Sequence, residues 1–377
     1  MAVSPEYSTW VEINLDAIRN NVRWVRHYTS TQVMAIVKAD AYGHGAVPVA
    51  RAALQSGATW LGVARIEEAL ELRAAEISAP ILLLGYISPQ RIKLAIQNDV
   101  SFTVWLPEQI KTINQTAQAL NQSAKVHLKV DTGMSRIGVQ VDDALDLARQ
   151  IAHADRLSLE GVYTHFARAD ESDSRPTEHQ LELFLQSLKS ISPYLTSTTL
   201  IHASNSAAAI GRKDSLFHLV RLGIAMYGLN PFHDRPMPAG FLPALSWKTV
   251  LSHVKVLEAG RGVSYGHVYT TKKTERIGTI PVGYADGYRR WPGNMVLVQG
   301  RKVPVVGRVC MDQCMLQLDS VPRAVCGDEV VLIGSQGEER ISAEDLARVW
   351  QTINYEVVCG IGKRVPRLYL EAGSPLQ

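Results

Sequence analysis

The sequence predicts an α/β chain in two parts: an N-terminal (β/α)8 barrel of the TIM type, then a mainly antiparallel β domain. Two observations carry this. Across residues 1–240 of the 377, eight short apolar runs alternate with stretches of helical period. Across 241–377 the texture changes to strand-like runs punctuated by Gly and Asp. Nearly continuous apolar runs suit parallel strands covered on both faces, and eight βα units within about 240 residues match a barrel in size.

In order, the runs are MAIVK (34–38), WLGVA (60–64), ILLLG (81–85), SFTVW (101–105), VHLKVD (126–131), LEGVYTH (159–165), TLIHAS (199–204) and LVRLGIA (219–225). Between them the period changes. IEEALELRAA is rich in helix formers. In DDALDLARQIAHA, Leu145, Ala148 and Ile151 share a face and Asp142 is placed to cap. In TEHQLELFLQSLKSI, Leu181, Phe184, Leu185 and Leu188 fall at i, i+3, i+4 and i+7, with Thr177 and Gln180 as a capping box. The rival, an open doubly wound sheet, lacks the G-x-G-x-x-G turn of its dinucleotide-binding form. The Pro-rich stretch NPFHDRPMPAGFLPALS separates the barrel from the β domain. That domain reads as KTVLSHVKVLE, ERIGTIPVG, MVLVQGRKVPVVGRVCMDQCMLQLD and GDEVVLIGS, with one helix near SAEDLARVWQTI.

Composition excludes several functions. Hydrophobic residues make up 46% and charged residues 20%, an ordinary globular mix. A formal net charge of +3, with no basic run interleaved with aromatics, argues against nucleic acid or an anionic membrane as partner. The N-terminus MAVSPEYSTWVEINL lacks the charged and apolar regions of a secretory signal, and no run is long enough to span a bilayer. A cytoplasmic protein is expected. Cys310 and Cys314 flank Asp312, but no second Cys or His pair follows at zinc spacing, so reduced thiols and no metal are expected.

Barrels gather function at the C-terminal ends of their strands. Strand one ends at Lys38. Strand five carries Lys129 and Asp131 and leads to Arg136. Strand six ends at His165. Strand seven leads through His202 to Asn205 and Ser206, and strand eight runs through Arg221. Alone, each has a plain alternative: a solvated lysine, a hydrogen-bonded structural histidine, half of an ion pair, a helix cap. Together they are a set. Small polar residues and backbone amides after strands seven and eight are where barrels hold a phosphate. With an enclosed lysine and an arginine, this points to pyridoxal phosphate, which needs a Schiff-base lysine and a partner for its ring nitrogen. Burial and neighbouring cations lower a lysine's pKa and give the neutral amine that attacks an aldehyde.

The stretches AIVKADAYGHG, HLKVDTGMSRIG, GVYTHFARADE, HASNSAA, VRLGIAMYG, VSYGHVYTT, PVGYADGY, GRVCMDQ and TINYEVVC through KRVPR occur in one order along the chain. As a set they resemble the alanine racemase family, the fold-type III pyridoxal-phosphate enzymes. The resemblance implies that Lys38 carries the cofactor as an aldimine and is one of two bases, and that Tyr265 is the other. In this family the tyrosine comes from the second chain of a head-to-tail homodimer. It further implies that Arg221 faces the pyridine nitrogen and that His165 packs on the ring. Tyr42, Ser206, Gly223, Ile224 and Tyr355 would hold the phosphate, with Asn205 nearby. Arg136 and the Met311 backbone would place the substrate carboxylate, and Tyr284 and Tyr355 would narrow the access to it. Lys129 matches the family lysine that is often carbamylated. His202 and Asp312 would support the site. The leading strand, about 8–14, would pair with the β domain. His267 departs from the family, where a smaller residue is expected. The activity implied is interconversion of L- and D-alanine, supplying D-alanine for peptidoglycan. The alternatives are a broad-specificity or serine racemase of the same fold, a decarboxylase of the same fold group, and a non-catalytic pyridoxal-phosphate carrier. Decarboxylases of the group use a cysteine as second base, and the carrier is a lone barrel.

Overall fold

The computed structural model describes residues 6–371 and 374–376. The chain divides into two compact units: Met1–Asp16, Tyr42–Gly45 and Pro243–Gln377 form one, Ala17–Ala41 and Ala46–Leu242 the other. Neither is continuous in sequence.

The strands open with β1 (Thr9–Asn14), β2 (Gln32–Ile36), β3 (Trp60–Val63), β4 (Ile81–Leu83), β5 (Val100–Val104), β6 (Ala124–Asp131), β7 (Val139–Gln140), β8 (Leu157–Tyr163), β9 (Leu200–His202) and β10 (Leu219–Leu222). In the larger unit, eight of them are parallel in the order β10, β2, β3, β4, β5, β6, β8, β9, with β7 beside β6. The ring closes between β9 and β10 through His218 N–H to the Ile201 carbonyl and Arg221 N–H to the Ser204 carbonyl, each 3.0 Å. This is the expected barrel. Most of its strands are buried almost throughout, β8 being buried only from Gly161 on; β5, for example, is buried at all five positions, Ser101 and Thr103 included.

Three helix expectations are corrected. The helix expected from Thr177 starts at Arg175, because Pro176 fits its first turn. Thr177 is therefore inside the helix, and its hydroxyl has no partner among the described residues. Gln180, freed from capping, binds the Ala167 N–H and the His165 carbonyl. In the helix Ala144–Ala152 the buried face is Ala144, Leu147, Ala148 and Ile151, and Leu145 is exposed. Asp142 lies in the 3-10 turn Val141–Asp143 that precedes this helix. Leu185 is also exposed, while Leu181 and Phe184 face the core.

The smaller unit is a mainly antiparallel sheet. Leu245–Val250 lies between β1 and Glu329–Gln336, antiparallel to both. β1 is also parallel to Arg367–Glu371. Strands His253–Leu257, Glu275–Ile280, Cys314–Gln317, Arg301–Val306 and Met295–Val298 continue the sheet. Its core holds edge-to-face aromatic pairs, Trp247 with Tyr288 and Tyr288 with Trp350, each 5.8 Å between centroids. The helix Ala343–Trp350 has a capping box of Ser342 and Asp345. None of the four cysteines is in a disulfide. Among the described residues no helix is long and apolar enough to cross a membrane.

Candidate active site

The strand that leads to Lys38 stops at Ile36. Lys38, half-buried, opens a turn of unusual hand: Ala39, Asp40, Ala41 and Tyr42 have φ of 52°, 52°, 51° and 55°, and Gly43 80°. Left-handed backbone costs a non-glycine residue roughly 1–2 kcal/mol, so the turn must be held. Ala39 N–H donates to Glu68 Oε1 and Ala64 N–H to Glu68 Oε2, both at 2.7 Å. Ala46 N–H donates to Asp40 Oδ1 at 2.8 Å. In the smaller unit, Tyr42 is buried with its ring 6.1 Å from that of Tyr355. Burial, reinforced by Tyr355 and Cys359, pushes its phenol far above the ordinary value. Gly43 is required there: a Cβ would meet the Val358 carbonyl oxygen at 2.5 Å.

At the C-terminal ends of the barrel strands the cations gather. Arg221 is only 4% exposed. Its Nη1 donates to His202 Nδ1 and the His202 carbonyl, at 3.0 and 3.3 Å. Its Nη2 donates to the Thr164 carbonyl, His165 Nδ1 and the Ala203 carbonyl, at 2.9, 3.0 and 2.8 Å. Among the described residues its Nε–H takes no acceptor. Burial, then Arg221, holds both His165 and His202 well below the usual histidine range, so both are neutral. Lys129 is buried on β6, 5.5 Å from the centre of the Tyr163 ring. Burial, then Arg136 and Arg221, lowers its pKa to about 7. Arg136 itself is exposed, on the loop that Asp131 shapes by accepting from Gly133 and Ser135 N–H.

Asn205 and Ser206 open the short helix Ser206–Gly211. Asn205 caps it, accepting from Ala208 N–H at 3.0 Å. Ser206 Oγ does something else: it accepts from Gly223 N–H at 2.9 Å. The serine hydroxyl therefore keeps its own proton to donate. Ile224 opens the turn Ile224–Tyr227, so its N–H has no acceptor within that turn.

The remaining residues belong to the smaller unit. Tyr265 projects from a turn in which Ser264, Gly266 and His267 all have positive φ, 64°, 70° and 45°. Ser264 Oγ braces it by donating to the Arg308 carbonyl at 2.6 Å. The His267 ring packs over Gly262, where a Cβ would lie 2.3 Å from its Cγ. Tyr265 is 67% exposed, Met311 53% and Tyr284 46%. The backbones of Tyr284 and Ala285 bind the Cys310 and Met311 carbonyls, each at 3.0 Å. Arg364 joins the two segments, 3.0 Å from Asp286 and 2.8 Å from Asp312.

Sequence reasoning missed Glu68, His127, Glu160, Asp286 and Arg364. His127 had a signal: it is two residues before Lys129 on one strand, and alternate residues share a face. Glu68 had none, because one glutamate in a helix-rich stretch looks like a solvated charge.

A parallel barrel whose mouth gathers neutral histidines, a buried arginine and a lysine of lowered pKa, in a chain that also carries an antiparallel β unit, fits a barrel enzyme of the amino-acid racemase class. Residues 13–231 match the family profile "Alanine racemase, N-terminal domain" and 244–369 "Alanine racemase, C-terminal domain". The alanine racemase of Symbiobacterium thermophilum is 47% identical over 365 residues, 96% of this chain and 97% of that one. Alanine racemase 1 of Bacillus subtilis is 42% identical over 385 residues, 100% and 97% of the two chains. The crystal structure of the Bacillus anthracis alanine racemase superposes with a TM-score of 0.93 at 43% identity, covering 99% and 98% of the chains. A histidine racemase from Leuconostoc mesenteroides gives 0.88 at 30% identity, covering 97% and 99%. The chain belongs to the alanine racemase family, isomerases whose membership implies dependence on pyridoxal phosphate.

Proposed function

We propose that this protein interconverts L- and D-alanine in the cytoplasm, with pyridoxal phosphate as its cofactor and with D-alanine for peptidoglycan as its use. The observation that carries the reading is Arg221: both terminal amino groups are taken by five acceptors, and Nε–H remains for a ligand. The donor set fits the cofactor. Arg221 Nε would donate to a ring nitrogen, and the Ser206 hydroxyl and Ile224 N–H would donate to a phosphate, with Gly223, Tyr42 and Tyr355 proposed as further phosphate contacts and Asn205 capping the segment that carries Ser206.

When bound, pyridoxal phosphate supplies a conjugated sink for the electron pair left at the substrate Cα. The chain's own residues do the rest. Lys38 would hold the cofactor covalently and would move the Cα proton on one face. Tyr265 moves the proton on the other face. One base would have to cross a planar group, so inversion calls for two. A guanidinium donates without giving up its proton, so Arg221 leaves the ring nitrogen unprotonated and disfavours side reactions. His165, held neutral, covers the ring without adding charge. Arg136 and the Met311 N–H would hold the carboxylate, supported by Asp312, and Tyr284 and Tyr355 would narrow the access and so favour a methyl side chain.

Lys129 is poised for carbamylation. A neutral amine attacks carbon dioxide; the N–C bond forms, one N–H proton is released, and a carbamate anion results. Its negative charge would offset Arg136 and Arg221, the cations that lower the lysine's pKa. The homodimer reading is supported by exposure. Proton abstraction needs water excluded, and Tyr265 is two-thirds open on one chain. A second chain, head to tail, would cover it and place it over the partner's Lys38. The barrel as 1–240 and the β domain as 241–377, carrying the second base, is the division of labour this implies.

A second reading, racemisation of a larger or more polar amino acid, is favoured by the similarity to a histidine racemase structure. Racemase activity over a panel of amino acids, with and without added pyridoxal phosphate, decides. Alanine turned over fastest and only with cofactor is the expected outcome; faster turnover of serine or histidine selects the second reading.

A further inference from the structure

Behind the barrel mouth four side chains form one hydrogen-bond chain. Arg221 Nη1 lies 3.0 Å from His202 Nδ1, His202 Nε2 lies 3.0 Å from His127 Nδ1, and His127 Nε2 lies 3.3 Å from Glu160 Oε2. Both histidines are fully buried. A guanidinium only donates, so His202 Nδ1 accepts and its proton sits on Nε2. That proton makes His127 Nδ1 an acceptor, so the His127 proton sits on its own Nε2 and goes to Glu160. One direction of donation satisfies every link. An imidazolium at either ring would set two N–H groups face to face.

The chain has a built end and a built space. Glu160 Oε2 also accepts from Ser101 Oγ at 2.5 Å. Burial would raise this carboxyl, but the bonds from His127 and Ser101, with Lys125 nearby, hold it below the usual carboxylate range. Room for the His127 ring comes from Gly161 on the neighbouring strand, where a Cβ would lie 2.3 Å from His127 Nδ1. Trp60 meets the same ring edge-on at 5.4 Å.

We infer that Glu160 and His127 are positioning residues for Arg221: the carboxylate fixes the tautomer of His127, and through it that of His202, so that His202 presents a lone pair to the guanidinium. With the opposite tautomer two N–H groups would oppose each other at 3.0 Å, and Arg221 would turn away, carrying Nε with it. The tautomers follow from geometry alone. Their consequence for the reaction rests on Arg221 facing the cofactor's ring nitrogen.

The test uses holoenzyme with 15N-labelled histidine. His127 and His202 are expected as neutral Nε2–H tautomers; an Nδ1–H or doubly protonated ring at either position overturns the inference without any variant. Glu160→Ala removes the terminal acceptor, while Glu160→Gln keeps a carbonyl oxygen there. In Glu160→Ala, with thermal melting checking the fold, the two tautomers should mix and the bound cofactor's absorbance should shift. Its kcat should fall roughly tenfold with KM for alanine within about twofold, the scale of one lost buried hydrogen bond. Glu160→Gln should restore all three. Wild-type tautomers in Glu160→Ala, or no restoration by Gln, overturn it. Arg221→Lys separates the two layers: an unshifted cofactor spectrum in that variant overturns the reading of Arg221, while the histidine spectra still judge the chain.

Discussion

The barrel mouth and the Tyr265 face of the β unit solve opposite problems. Arg221 is 4% exposed and makes five hydrogen bonds to histidines and carbonyls. Tyr265 is 67% exposed, and what is fixed around it is backbone: three positive-φ residues and a serine bond to a carbonyl. The first region is preorganised within one chain, its charges already desolvated. The second presents a side chain on a rigid turn and leaves it uncovered. Preorganised charge is what gives electrostatic catalysis its magnitude, whereas an exposed base needs a cover. The contrast teaches that the barrel mouth and the proposed second base are provided for differently, and it can be broken from either side.

The largest effect is expected at the barrel. Lys38→Ala should lower racemisation by at least about 10⁴-fold, since it would remove both the proposed covalent anchor and one proposed base. Cofactor absorbance characteristic of an imine should vanish with it. Full turnover with imine-type absorbance in that variant would sink the assignment. Tyr265→Ala should lose about 10²–10³-fold, the range of one general base, and asymmetrically: solvent deuterium should enter from L-alanine far more slowly than from D-alanine. Equal loss in both directions removes Tyr265 as a base. Mixing the two inactive variants tests the cover. With free exchange half the dimers are hybrids with one intact site of two, so about a quarter of full activity should return if the site is shared. No recovery despite proven exchange would leave the tyrosine to its own chain.

Lys129 sharpens the contrast further. Its pKa of about 7 means that the reactive neutral amine predominates as pH rises above about 7 and is lost as pH falls below it. Occupancy by 13C-labelled carbon dioxide, read as a carbamate carbon signal, should therefore rise with pH through that window and vanish in Lys129→Met. Activity of the variant should drop about tenfold, a modest value for a charge that acts through Arg136 rather than on substrate. No carbamate signal at any pH would refute the modification.

The barrel was legible because most of its strands are buried on both faces and so read as nearly continuous apolar runs; the bounds of each of the eight lie within about three residues of their expected place. Helix details were less legible. Leu145 and Leu185 fit a helical stripe by number, but spacing does not say which stripe meets the barrel. Thr177 looked like a cap until Pro176 started the helix earlier. At the site, the residues in short Gly-rich or polar motifs were visible, and those acting through them were not. Glu160 was hidden, and the spacing of His127 from Lys129 gave only its face, because the meaning of both is a direction of hydrogen bonding, which needs Arg221 at a measured distance. The hand of the turn after Lys38 was hidden because its first residues, Ala39, Asp40 and Ala41, are not glycines, which come only at Gly43, and the glutamate that holds it comes from another helix.

The smallest expected effect tests the β unit on its own terms. Arg364 bridges Asp286, nearly fully buried, and Asp312, exposed, and so ties the Tyr284 turn to the loop that carries Met311. Yet the same segments are already knit by backbone: Asp286 accepts from Gly283 N–H at 2.8 Å, and Ala285 N–H reaches the Met311 carbonyl at 3.0 Å. Gly283 approaches so closely that a Cβ would lie 2.2 Å from the Met311 oxygen. Arg364 is half-exposed, and exposed ion pairs contribute at most about 1 kcal/mol. Arg364→Ala should therefore raise KM for alanine by about two- to fivefold and leave kcat within about twofold. On the proposed roles, loosening the Met311 backbone would weaken the hold on the carboxylate without touching Lys38 or Tyr265. A fall in kcat at constant KM would mean that the loop steers Tyr265 instead, and the division between a finished barrel mouth and a backbone-built β face would have to be redrawn.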